Sequence, residues 1–245
     1  MSTTARGDRY DILAIGAHPD DIEAIAGGTI VKLARRGIRT LLVDLSSGEP
    51  TRYGAPGVRQ SQAAKAAELL GADRQAVGLQ DRLIGDTLHA RLSVAALIRR
   101  YRPRTVLTTD GCGVHPDHKA ATDIVINAVF YARLPKWDEV PGGQTLADTA
   151  PHEVSRLYFG HCRMEAPWPR FDFAVDVTEV YDVKLAALAA YESVFSGAQA
   201  ELLDRYGAED RYVGSQVGVR YAEAFRARSP LLVETPEVFL PVRFG

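Results

Sequence analysis

Tyr10 to Asp21 reads YDILAIGAHPDD, a short apolar run that stops at a histidine, a proline and two aspartates. An apolar segment of this length bounded by turn residues is expected to be a buried strand. The chain then alternates. A helix-patterned stretch from Gly28 to Arg36, closed by Gly37, precedes the strand-like RTLLVDL of Arg39 to Leu45. The amphipathic VRQSQAAKAAELLG ends at Gly71, a short apolar run surrounds Val77, ARLSVAALIRRY forms a third helix, and a fourth strand runs from Thr105 to Thr109 after Pro103. Strand and helix in regular succession mark βαβ units. The predicted class is therefore α/β and Rossmann-like, with a mostly parallel central sheet flanked by helices.

Beyond a helix from Lys119 to Arg133, the segment KWDEVPGGQTLADTAPHE is rich in Pro, Gly and polar residues and reads as a long surface loop, a candidate lid. Strands are expected at Arg156 to Gly160 and Phe171 to Val177, then the helix VYDVKLAALAAYESVF and a mixed tail through Arg226. The expectation is one domain over 1–245, with 1–135 as the Rossmann-like half and 136–245 as the loop and a C-terminal α/β elaboration.

Composition narrows the function. Hydrophobic residues at 46% and charged residues at 24% suit a packed core, and a formal charge of -2 argues against nucleic-acid binding. No window comes near the roughly 18 to 20 apolar residues of a membrane span, and acidic residues come before any signal-like run, so a cytoplasmic protein is expected. Cys112 and Cys162 lack CxxC spacing and are expected to be free thiols. No GxGxxG follows the first strand, where two aspartates would repel a pyrophosphate. The pairs Arg35-Arg36 and Arg99-Arg100 sit near helix C-termini, where cations complement the dipole.

Loops at the carboxyl ends of parallel strands meet in one crevice, which makes the residues just after each strand the first candidates for chemistry. Two such loops share a vocabulary: Ala17-His18-Pro19-Asp20-Asp21 after the first strand and Val114-His115-Pro116-Asp117-His118 after the fourth. Together they hold three of the chain's six histidines. Each could be a turn with Pro fixing φ and Asp capping a helix, but two copies at the ends of different strands point to a metal site. Imidazole and carboxylate suit a zinc-type ion with three protein ligands and an open position. His18, Asp21 and His118 make the best set, although spacing alone leaves His115 open as a ligand too. A hydrolytic ion needs a neighbouring base that is not itself a ligand, and Asp20 is the candidate.

With these motifs in view, the sequence resembles the PIG-L/LmbE-like N-acetylglucosaminyl deacetylases, and is most similar to the branch that acts on GlcNAc-malate in bacillithiol synthesis. The likeness extends through GGTIVKLARRG, DLSSGE, the helix from Val58, GLQDR at Gly78 to Arg82 and GVRYAEAFRARSPLL. It implies Zn(2+), with Fe(2+) as an alternative occupant in the cell, held by His18, Asp21 and His118, with Asp20 as general base. His115 becomes a general acid or oxyanion partner oriented by Asp117. Glu49, Arg59 and Asp81 become contacts to the sugar.

The partner so implied is a small N-acetylated amino sugar glycoside, and relatives often form homo-oligomers. The chain departs from the family at Gly111-Cys112-Gly113-Val114, where relatives often carry a polar or basic side chain or a mobile Tyr. Two other readings compete with a deacetylase: an amidase for thiol-conjugate amides using the same metal, and a sugar- or nucleotide-binding module that has lost catalysis.

Overall fold

The computed structural model describes residues 9–51, 54–55, 57–161, 170–197 and 201–232; Cys162 lies outside them. The first half follows the alternation: β1 (Ile12–Gly16), α1 (Asp21–Ala34), β2 (Thr40–Ser46), α2 (Val58–Leu70), β3 (Asp73–Leu79), α3 (Leu88–Tyr101), β4 (Thr105–Thr109) and α4 (Pro116–Ala132). A short α5 (Gln144–Ala147) leads to β5 (Arg156–Gly160), β6 (Phe173–Asp176), α6 (Tyr181–Ala189), α7 (Glu201–Val217) and β7 (Ala222–Ala227). The seven strands form one sheet in the order β3-β2-β1-β4-β5-β7-β6. Neighbours from β3 through β5 are parallel, whereas β7 lies antiparallel between β5 and β6. The class is α/β with a mostly parallel sheet, as the alternation predicts.

Side chains alternate across the strands and fill two cores. Leu13, Ile15, Val43 and Val106 face one side and pack with Leu92 and Ile98 of α3 and Ile124 and Ala128 of α4. Ala14, Leu42 and Leu107 face the other and meet Ile22, Ile25 and Ile30 of α1, Ala66 and Leu70 of α2 and Leu188 of α6. Each Leu or Ile buried here contributes about 1.5–3 kcal/mol of transfer free energy.

Besides shifted ends elsewhere, such as α4 starting at Pro116 and α6 stopping at Ala189, two elements differ from the sequence expectation. Helix α1 starts at Asp21, not near Gly28, because its first turn is buried with its acidic groups paired. Glu23 accepts from Arg74 Nη1 at 2.5 Å and from the Tyr191 hydroxyl at 2.5 Å, and Arg74 also forks onto Asp44 at 2.6 and 2.7 Å. Gly28 is needed deep in the helix because a Cβ there would stand 2.6 Å from Val177 Cβ. Its N–H and that of Thr29 donate to Glu223 of β7 at 2.9 and 2.7 Å. The same Glu223 meets the wholly buried Lys184 at 2.8 Å, and Lys184 also holds Asp210 of α7 at 2.7 Å.

The second difference is the Trp137–Glu139 turn and α5, which replace the expected long loop. Trp137 and Leu146 are buried in the core of α3 and α4. Arg99, only 4% exposed, donates to the carbonyls of Ala132 (2.9 Å), Leu146 (2.7 Å) and Thr149 (2.8 Å), and to that of Leu134. It fastens the segment along α3 while standing, with Arg100, in the last turn of that helix as expected.

Candidate active site

The site grows from two strand ends. Gly16 closes β1, and a Cβ on it would come 2.9 Å from Asp21 Cβ, so glycine lets the start of α1 fold back over the strand. Asp20 takes φ 107°, a left-handed conformation uncommon for a side-chain-bearing residue. β4 ends next to β1, and the loop after it leads into α4 with His115 at the N-cap and Pro116 in the first turn. The two motifs therefore face each other across the point where strand order reverses.

Asp21 joins them. Its Oδ1 lies 3.1 Å from His118 Nε2, its Oδ2 lies 3.7 Å from His18 Nδ1, and Oδ2 also accepts the His18 backbone N–H at 2.9 Å. Burial raises the Asp21 carboxyl, but the His118 and His18 imidazoles outweigh it and hold it well below the usual carboxylate range. His18, Asp21 and His118 can bring three ligand atoms within 4.8 Å of one another, two imidazole nitrogens and one carboxylate oxygen, a donor set that fits zinc. A second grouping, His18, His115 and Asp117, shares His18 with the first. In that grouping the Asp117 carboxylate already accepts the Arg82 N–H at 2.7 Å.

Asp20 stands beside these groups under a guanidinium. Arg59, from the first turn of α2, donates through Nη2 to Asp20 Oδ1 at 3.0 Å, through Nε and Nη2 to the Pro19 carbonyl at 3.2 and 2.7 Å, and through Nη1 to the Gly48 carbonyl at 2.9 Å. Burial pushes the Asp20 carboxyl up to about 6, with Arg59 opposing and Asp21 adding to the rise. Glu49 accepts from the Thr51 N–H at 3.1 Å and the Arg59 N–H at 3.4 Å, linking the loop after β2 to the start of α2.

His115 stacks on His118 with ring centroids 4.6 Å apart and lies 5.0 Å from the His18 ring. Its Nδ1 accepts the backbone N–H of Asp117 at 3.2 Å, which in the neutral ring leaves the proton on Nε2. Burial and the two neighbouring histidines lower its pKa and favour that neutral form. The Asp117 carboxylate faces His18, with Oδ2 3.2 Å from Nε2. Asp81, at the end of the β3 turn, places Oδ1 3.0 Å from the same Nε2.

All nine candidates thus fall on loops after β1 to β4 or in the first turns of α1, α2 and α4. Sequence reasoning passed over Asp110 and His161, directly after β4 and β5, which form a buried pair at 2.6 Å; their positions just past strand ends were the available signal. Cys112 donates its N–H to Asp110 at 3.1 Å, and burial pushes its thiol pKa up, which disfavours the reactive thiolate.

Comparison with known proteins follows the same lines. The family model GlcNAc-PI de-N-acetylase (PIG-L) matches residues 13–129, the stretch from β1 into α4 that carries both motifs. The diacetylchitobiose deacetylase of Thermococcus kodakarensis is 32% identical over 89% of this chain and 83% of its own length. A probable N-acetyl-alpha-D-glucosaminyl L-malate deacetylase 2 of Bacillus cereus is 29% identical over 74% of this chain and 82% of its own. Among solved structures, the conserved protein TT1542 of Thermus thermophilus superposes with a TM-score of 0.81 at 34% identity, covering 91% of this chain and 97% of that one. By family model, sequence and fold, the chain belongs to the GlcNAc-PI de-N-acetylase (PIG-L) family.

Proposed function

We propose that the protein is a zinc-dependent hydrolase that removes the acetyl group from the N-acetylglucosamine unit of a small glycoside. The observation that carries this reading is the joining of His18, Asp21 and His118 around one point with the non-ligand carboxylate of Asp20 at its side. Relatives whose names describe them as deacetylases of such sugars support it. When bound by His18, Asp21 and His118, zinc supplies Lewis-acid polarisation of the amide carbonyl and acidifies water.

The protein's own groups do the rest. Arg59 holds Asp20 Oδ1, leaving Oδ2 to take the proton of the attacking water. His115, neutral with its proton on Nε2, donates a hydrogen bond to the oxygen on which charge develops. As the amine departs, the proton held on Asp20 is available to it, so atoms and charge balance over the cycle.

GlcNAc-malate is the first substrate to test, with N,N'-diacetylchitobiose beside it. Release of free amine should require zinc and be lost on chelation. Asp20→Asn should lower turnover by at least about 10²-fold, as removal of a general base does, while binding one zinc per chain. Near-normal turnover in that variant removes Asp20 from its role, and silence of the zinc-loaded protein on every N-acetylglucosaminide removes the substrate class.

A further inference from the structure

Three arginines from separate elements converge on one cavity away from the two histidine motifs. Arg133 follows α4, Arg156 opens β5 and Arg228 follows β7, and with Phe130, Tyr158 and Glu153 they line a cavity of about 260 Å³. The main chain draws two of them together. β7 runs antiparallel to β5 with Ala227 opposite Tyr158, and the Arg228 N–H donates to the Leu157 carbonyl at 3.0 Å. The third stands at the end of α4, its guanidinium carbon 4.5 Å from the centre of the Phe130 ring, which is itself 43% exposed.

This cavity lies at the end of the sheet opposite the candidate active site. β5 runs parallel to β4, so Arg156, its first residue, stands where the strands begin, whereas the histidine motifs follow strand ends. Helix α4 spans the interval. His115 caps its start and Arg133 its finish, and 17 residues at the helical rise separate the two by about 25 Å.

Like charges gathered at one place repel, and elsewhere the chain answers such charge with carboxylates. Arg74 forks onto Asp44 and Arg91 onto Asp86. Among the described residues none of the three cavity arginines pairs with a carboxylate, although Glu153 is on the wall. Of their guanidiniums only that of Arg156 makes a hydrogen bond among the described residues, to the Ser155 carbonyl at 3.0 Å. Planar N–H forks match the oxygens of a phosphate group, and several together suit a dianion. The volume falls below the roughly 300–1,000 Å³ of pockets for larger ligands, so the occupant is compact.

We propose that this cavity binds a phosphate group, free or carried by a small ester, through Arg133, Arg156 and Arg228, with Phe130 and Tyr158 beside it. The site is distinct from the reaction centre and does not depend on the metal reading.

Calorimetric titration of the zinc-loaded chain with inorganic phosphate and, separately, with phenyl phosphate tests it, in about 0.15 M chloride to screen exposed charges. A saturable site should appear, and Arg156→Gln and Arg228→Gln should each weaken it by roughly tenfold or more. Arg36→Gln, the same loss of charge at an exposed position after α1 and outside the cavity, should leave it unchanged. Tighter binding of phenyl phosphate identifies an ester as the occupant, and equal or tighter binding of inorganic phosphate identifies the free ion. Phosphate held at the metal would keep its affinity in both cavity variants, and that result overturns the proposal. So does equal weakening by Arg36→Gln, which would mark a general charge effect, or the absence of saturable binding by the wild type.

Discussion

Asp20 is held in a left-handed backbone conformation, and Arg59 is the side chain that makes this tenable, because one guanidinium binds its carboxylate and the carbonyl of the preceding Pro19. Lysine offers one charged nitrogen and cannot span Asp20, Pro19 and Gly48 together. Arg59→Lys should therefore lower kcat by about 10²-fold, the effect of misplacing a reacting group by roughly an ångström; steady-state kinetics read this apart from any rise in KM through a lost sugar contact.

His152 gives a residue-level dependence on pH. Burial lowers its pKa below 6.5, against an opposing hydrogen bond to the Pro103 carbonyl at 2.7 Å. Below about pH 6.5 the unfolded chain takes up this proton first, so stability is lost as pH falls toward the folded value. Urea midpoints of His152→Gln should vary less with pH over that window than those of the wild type.

At the scale of elements, α3 and the 134–149 segment form a unit pinned by Arg99. Arg99→Met would leave several buried carbonyls without a donor, and a loss of roughly 3 kcal/mol is expected in equilibrium unfolding, together with faster proteolysis between Leu134 and Thr149. None of this was legible in sequence, because the acceptors lie 33 to 50 residues from Arg99 and are backbone atoms. The start of α1 was hidden for a related reason: Asp21 and Glu23 read as polar and exposed, and only Arg74, Tyr191 and the histidines, all remote in sequence except His18, make their burial tolerable. The strands β1, β2 and β4 were legible because apolar runs between turn residues need no distant partner. The two HPD motifs were legible because they repeat one another at strand ends.

For the whole molecule, Lys184 is the tie. It joins α6, α7 and β7 through Asp210 and Glu223, and Glu223 continues the tie into α1 through Gly28 and Thr29. Lys184→Met should destabilise the fold by roughly 3–5 kcal/mol, since two buried carboxylates would lose the cation between them; a loss under about 1 kcal/mol in chemical unfolding would show that the region relaxes around it. Sequence could not assign β7 its place, because a strand inserted antiparallel between two others follows no local pattern. That placement has a consequence for biosynthesis. A nascent chain that ends short of Glu223 already carries both histidine-aspartate motifs, yet it lacks the strand that separates β5 from β6 and the carboxylate that engages the middle of α1. Since chains emerge from the N-terminus, the middle of α1 acquires its carboxylate partner only after the ribosome has passed that residue.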